Sequence, residues 1–246
     1  MPRARPRDRL LPAVSLLEVR DVSVRDGEAV VMRAVTLSIE DGEFAAILGK
    51  RGAGKTALLR AIARSIRVSG EIRWEDEVVT RHSPAAMCRL GVAHVPQGGG
   101  VFSQLSVLDN LRLGAWTVRG PLDNAYARVF EFFPFLYDRR NIPAGMLSPG
   151  EQRLLALGSA VMGKPRLLLC DEPSAGVPRD VGDEFFAALR ELHDRGTTVV
   201  VTAQRKGRAL ASAAHAVVLE DGRVAFDGPA AEVSVTPAAD ATSLAS

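Results

Sequence analysis

Cysteine is scarce in this sequence, with only Cys88 and Cys170 among 246 residues. The two stand in no metal-ligand spacing, and two cysteines in so long a chain make no disulfide scaffold. His82, His94, His193 and His215 are scattered as well, which reads as surface or packed imidazoles rather than a metal centre. Net charge is nearly absent: 31 basic residues against 29 acidic ones leave +2, so neither nucleic acid nor a membrane surface is favoured electrostatically. No apolar stretch approaches the ~20 residues that cross a bilayer. The basic run Pro2-Arg3-Ala4-Arg5-Pro6-Arg7-Asp8-Arg9 is followed only by Leu10-Leu11 before Pro12, too little for the apolar region of a secretion signal. The expectation is a soluble intracellular protein with a disordered arm over residues 1–15 and a loose tail over 236–246.

What is present is an alternation of strand and helix patterns. Leu16 to Val24 and Val30 to Ile39 alternate apolar with polar residues across Asp26-Gly27, as half-buried strands do. Gly70 to Trp74 reads as a further strand. Residues 83–163 look helical and broken by Pro and Gly, with Asp123 to Phe133 the plainest amphipathic piece. Phe130, Phe132, Phe133 and Phe135 there form either sub-domain core or a docking surface. Leu167 to Cys170 and Thr198 to Thr202 are continuous apolar runs of the kind buried on both faces of a parallel sheet, with a helix over about Val181 to Arg195 between them. A hairpin around Asp221-Gly222 closes the chain. These patterns predict an α/β domain over 16–235, with a mixed sheet core, an antiparallel β edge and a helical sub-domain over about 83–163.

Two constellations carry chemistry. Gly49-Lys50-Arg51-Gly52-Ala53-Gly54-Lys55-Thr56 lies between the apolar run Phe44 to Leu48 and a helical segment opening at Ala57. This is the phosphate-binding G-x-x-x-x-G-K-[ST] loop in its strand-before, helix-after context. Its glycines let backbone N–H groups turn inward around phosphate oxygens, and the helix N-terminus adds partial positive charge. Lys55 would reach the β/γ-phosphates of a nucleoside triphosphate, and the Thr56 hydroxyl would ligate Mg²⁺. The second constellation, Leu167-Leu168-Leu169-Cys170-Asp171-Glu172-Pro173, ends a buried strand in two carboxylates at the sheet's C-terminal edge. Asp171 suits a metal-holding role and Glu172 that of the general base for an attacking water.

Between them lies Leu147-Ser148-Pro149-Gly150-Glu151-Gln152-Arg153, and here the chain resembles the ATP-binding subunits of ABC transporters, from about Leu16 to Val233. The resemblance implies a P-loop NTPase of ABC ATPase type. It makes Gln97 a sensor of Mg²⁺ and water that couples to the membrane subunits, and Ser174 to Val177 a loop crossing a dimer interface. Ser148 and the Gly150 N–H would touch the γ-phosphate of ATP held by the other subunit, so that each site is shared. Val95 to Phe102, Leu105 to Leu111 and Ala144 to Ser148 are similar to the ATPases of branched-chain amino acid importers. One of their two ATPases often carries Gln where most ABC proteins have a switch His, and Gln204 stands there in this chain. Implied partners are membrane permease subunits, a second ABC ATPase in a homodimer or heterodimer, and a periplasmic or external substrate-binding protein. No nucleic acid is implied, and the site of action would be the cytoplasmic face of the inner membrane, peripherally bound.

Four departures stand out. Asp26 replaces the aromatic residue that stacks on adenine, a contact worth about 1–3 kcal/mol, although the planar Arg25 guanidinium offers a substitute. Lys50-Arg51 replace the usual Pro-Asn, adding cations that either strengthen phosphate binding or point to solvent. Pro149 replaces a signature glycine and has no N–H to give. Gln204 still donates a hydrogen bond but cannot carry charge. The resulting expectation is an ATPase driving uptake of branched-chain amino acids. The alternatives are a weakly hydrolysing partner that completes a heterodimeric site, and a soluble ABC ATPase acting on ribosomes or DNA.

Overall fold

A computed structural model describes residues 15–204 and 206–235. The arm read over 1–15 therefore lies outside the described residues except for Ser15, which opens the first strand, and the tail 236–246 lies outside them entirely.

The alternating segments form β1 (Ser15–Asp26) and β2 (Ala29–Glu40), paired antiparallel. The all-apolar β3 (Phe44–Leu48) runs through the glycine loop into α1 (Lys55–Ile62). β4 (Ser69–Trp74) and β5 (Glu77–Val78) return to the first pair, giving an antiparallel sheet ordered β2-β1-β4-β5. After α2 (Pro84–Arg89) and β6 (Val92–Val95) come the helices α3 (Val107–Gly114), α4 (Asp123–Phe132), α5 (Pro134–Asp138) and α6 (Pro149–Val161). The chain then alternates β7 (Leu167–Cys170), α7 (Arg179–Asp194), β8 (Thr198–Ala203), α8 (Gly207–Ser212) and β9 (His215–Glu220), and closes with β10 (Arg223–Pro229). The second sheet is ordered β10-β9-β3-β8-β7-β6, parallel throughout except for the β9–β10 hairpin.

The antiparallel content is thus larger than an edge, since it includes a separate four-stranded sheet. The segment 83–163 is also not wholly helical. It contains β6, which pairs with β7 from Val92↔Leu167 to Val95↔Cys170. Four residues interrupted by His94 carry too little apolar signal to stand out in the sequence.

The second sheet is buried on both faces because its strands send alternate residues to two cores. Phe44, Ala46, Leu168, Cys170, Val199 and Val201 pack against the helices α3 to α7. Ala45, Ile47, Leu167, Leu169, Val200 and Val217 pack against α1 and the antiparallel sheet. Both layers need apolar side chains at consecutive positions, which explains the continuous runs. Phe133 is buried and Phe130, Phe132 and Phe135 pack on the same core, so the aromatic cluster is core rather than docking surface. Among the described residues, no helix is long and apolar enough to cross a membrane.

Register decides where the site falls. Leu48 lies beside Ala203, Val201 beside Cys170, and Cys170 beside Val95. The residues just beyond these strand ends therefore emerge from one edge: Gly49, Asp171, Gln204 and Gln97. At the opposite edge His215 is clamped between Glu43, 2.9 Å from its Nδ1, and Asp227 on its Nε2. The two carboxylates push the His215 pKa up to about 10. Its stabilising contribution is complete below the ordinary imidazole pKa of about 6.5 and is lost as pH rises through about 10. His215→Gln is expected to cost about 1–3 kcal/mol at pH 7, the worth of charged hydrogen bonds. In urea melts, the gap between variant and wild type should close as pH is raised from 7 to 11.

Candidate active site

The glycine loop is shaped by close backbone approaches. A Cβ on Gly49 would sit 2.5 Å from the Leu219 carbonyl oxygen, so only glycine fits where β3 passes β9. Gly54 has φ +101 and precedes α1, whose first turn has neither a side-chain cap nor an acidic residue. The first N–H groups of a helix need partners from outside it, and here no side chain supplies one, which suits an anion.

Lys55, the first residue of α1, is buried at 4% exposure. Its Nζ donates to the Gly49 carbonyl at 2.8 Å and the Lys50 carbonyl at 3.0 Å, and pairs with Glu172 Oε1 at 3.2 Å. Two of the three ammonium protons are thus committed to loop carbonyls, and the charge is met by Glu172. Glu172 is also buried, and its Oε2 accepts from Gln204 Nε2 at 2.7 Å and Gln97 Nε2 at 3.3 Å. The structure thus brings together Lys55, Gln97, Glu172 and Gln204, which lie far apart in sequence. Beside them Asp171 N–H donates to the Val95 carbonyl at 2.9 Å, and Asp171 Oδ1 accepts from the Thr202 hydroxyl at 2.6 Å.

Lys55, Gln97, Glu172 and Gln204 border a cavity of about 630 Å³, whereas Asp171 and Thr202 are not among its lining residues. Arg51, Gly52, Gly54, Thr56 and Ala57 line it, whereas Gly49, Lys50 and Ala53 do not. Lys50 is exposed and Ala53 is buried in the core against the antiparallel sheet. The two loop cations therefore differ: Lys50 faces solvent and Arg51 borders the cavity. Arg25 and Asp26 also line it, with Val24, Val31 and Ile66, and among the described residues none that lines it is aromatic. Arg25 is tethered by a 3.1 Å hydrogen bond to the Glu28 carbonyl.

Oxygen donors for a hard cation are present. Asp171 Oδ2 is buried without a hydrogen-bond partner, and a buried carboxylate oxygen left bare is costly unless a ligand or water meets it. Thr56 and Gln97 line the cavity, as does Glu172, the residue next to Asp171 in the chain, while Asp171 itself does not. Among the described residues no three His, Cys, Asp or Glu side chains cluster as a protein metal cage. Mg²⁺ needs none, because it is commonly held by one or two carboxylates together with phosphates and water.

Ser148 and Gly150 lie elsewhere, at the start of α6, and neither lines the cavity. Ser148 caps the helix: its Oγ accepts from Glu151 N–H at 3.2 Å, and Ser148 N–H donates to Glu151 Oε2 at 2.8 Å. Pro149 occupies the first helical position, where a missing N–H costs nothing. Gly150 is buried against α7, where a Cβ would meet the Val181 methyls at 2.8 and 3.0 Å.

Thr202, Arg60 and Ile66 belong to none of the sequence motifs, and Arg153, which ends the signature segment, has no assigned role there. Arg60 and Ile66 line the cavity, and Arg153 Nη1 donates to the carbonyls of Glu172 and Pro173 at 3.2 and 3.0 Å. Only Thr202 leaves a sequence signal, as a hydroxyl ending a run of three valines.

Comparison with known proteins places the chain among relatives. The ABC transporter family matches residues 32–175. The high-affinity branched-chain amino acid transport ATP-binding protein BraG of Pseudomonas aeruginosa is 35% identical over 224 residues, covering 90% of this chain and 96% of that protein. The Fe(3+) ions import ATP-binding protein FbpC of Streptomyces coelicolor is 34% identical over 234 residues, covering 91% of this chain but 65% of that one. A nucleotide-free ATP-binding cassette from an ABC transporter superposes with a TM-score of 0.80 at 22% identity, covering 94% of this chain and 100% of that one.

Gly49→Ala should be the most damaging single methyl in the loop. Overpacking of this kind costs about 1–3 kcal/mol. The measurement is a urea melt paired with nucleoside triphosphate titration, in which stability falls and binding is lost together.

Proposed function

This chain belongs to the ABC transporter family, as an ATP-hydrolysing subunit of an importer, and from that premise we propose that it powers uptake of branched-chain amino acids. The cargo reading is supported by BraG, whose length this chain matches, whereas the iron importer carries a further third that this chain does not match. The observation that carries the enzymatic reading is the convergence of buried Lys55 and exposed Gln97 and Gln204 on the buried Glu172 beside an uncapped helix start.

The chemistry rests on those contacts. A triphosphate seated on the loop competes with Glu172 for the Lys55 charge and with the two loop carbonyls for its protons. The released Glu172 carboxylate takes a proton from the attacking water while the water oxygen bonds to the γ-phosphorus. The bond from that phosphorus to the bridging oxygen breaks, leaving ADP and phosphate. Gln97 and Gln204 keep Glu172 oriented, and Gln204 turns its amide toward the γ-phosphate. Thr56, Asp171 and Gln97 would hold Mg²⁺, which would supply charge neutralisation to the phosphates. Exposed Ser148 and the Gly150 N–H at the α6 start complete the site of a second ATPase subunit, in a homodimer or a heterodimer. Membrane permease subunits receive the resulting motion, and an external binding protein delivers the cargo. The ATPase sits peripherally on the cytoplasmic face.

Two outcomes are expected. Asp26→Tyr restores a stacking surface in a cavity that has none, and should tighten ATP binding about tenfold in fluorescent-nucleotide titrations, within the ~1–3 kcal/mol of one stack. Steady-state ATPase activity of the purified chain should rise with protein concentration and vanish in Glu172→Gln while ATP binding persists. Binding without any activity would point instead to a weakly hydrolysing partner that needs a different ATPase beside it.

A further inference from the structure

Thr202 lies on β8 beside Ile47 of β3 and is wholly buried. Its hydroxyl makes two bonds of opposite sense. The oxygen accepts the Glu172 backbone N–H at 2.8 Å, and the proton goes to Asp171 Oδ1 at 2.6 Å. A hydroxyl has one proton to give, so accepting from the backbone leaves that proton committed to the carboxylate. Asp171 Oδ1 is thereby satisfied, while Oδ2 stays buried with no partner.

The same hydroxyl bears on Glu172. That residue has φ +46, a left-handed conformation that a non-glycine residue holds only when its surroundings impose it. Its N–H is held by Thr202 and its carbonyl by Arg153 at 3.2 Å. The turn that aims the Glu172 carboxylate at Lys55 is therefore pinned on both sides.

We propose that Thr202 is a positioning residue for catalysis: its one hydroxyl selects Asp171 Oδ2 as the oxygen presented to the divalent cation and locks the Glu172 turn. The inference rests on the reading of Asp171 as the metal carboxylate. A valine at this position would keep the shape of the side chain and remove both bonds, leaving Asp171 free to rotate and the Glu172 N–H unpaired. A serine would keep both bonds and lose only a methyl.

The test is Mn²⁺ affinity, read by electron paramagnetic resonance on the full chain with a non-hydrolysable ATP analogue. Nucleotide affinity in EDTA reports that the fold and the phosphate loop are intact. Thr202→Val should weaken Mn²⁺ binding by about 10-fold or more, the usual effect of removing an outer partner of a metal ligand, with EDTA-measured nucleotide affinity unchanged. Thr202→Ser should match wild type, and Thr202→Cys, a weak donor of similar size, should fall between and serves if the valine variant does not fold. Wild-type Mn²⁺ affinity in folded Thr202→Val or Thr202→Cys overturns the inference, as does a Thr202→Ser loss equal to that of valine. Asp171→Asn separates the two failures. If it abolishes Mn²⁺ binding while the Thr202 variants do not, only the positioning role falls. If it leaves binding intact, the metal role of Asp171 falls and the inference falls with it.

Discussion

A buried ion pair organises the site. Lys55 begins α1 and Glu172 comes just after β7, 117 residues apart in sequence, yet they meet at 3.2 Å with side-chain exposures of 4% and 8%. Two charges withdrawn from water are tolerable only when each is satisfied. Lys55 is held by two loop carbonyls as well as by the charge of Glu172, and Glu172 by two carboxamides as well as by Lys55. Removing one partner of such a pair typically costs about 3–5 kcal/mol, so the glycine loop and the end of β7 hold each other in place. In the proposed mechanism a triphosphate takes the place of Glu172 as the counter-charge to Lys55.

That pair depends on strand register. β3, β6, β7 and β8 lie parallel, so their C-terminal ends fall on one edge, and the residues after each end are delivered to the same place. A slip of one residue in any of them would exchange its two faces between the two cores. The apolar residues packed on both sides, such as Phe44 against the helices and Ile47 against the antiparallel sheet, therefore fix the catalytic geometry indirectly.

The departures from the ABC pattern have unequal consequences. Pro149 sits where a helix tolerates proline best, and Gly150 behind it is required by Val181, so the α6 start is a well-made helix end. Gln204 keeps a 2.7 Å hold on Glu172 without charge. Asp26 is the change with no compensation in contacts: the cavity it lines has no aromatic surface, and Arg25 beside it is tied to Glu28.

Much of this was legible in the sequence. The loop from Gly49 to Thr56, the carboxylates Asp171 and Glu172, and the alternation of strand patterns are local features whose spacing states their chemistry. What stayed illegible was relational. β6 was hidden because four residues carry too little periodicity, and its strand character comes from pairing with β7. The antiparallel sheet read as an edge because strand partners cannot be counted from one strand's pattern. Thr202 and Arg153 acquire their importance only from neighbours 30 and 20 residues distant, through bonds to Asp171, Glu172 and Pro173. The sequence alone determined which groups could bind phosphate, a cation and a water. Tertiary structure decided which oxygen of Asp171 is free, that Lys55 and Glu172 neutralise each other, and that Ser148 lies outside its own subunit's cavity. Spacing along a chain specifies chemistry, but only packing and register specify distance between elements.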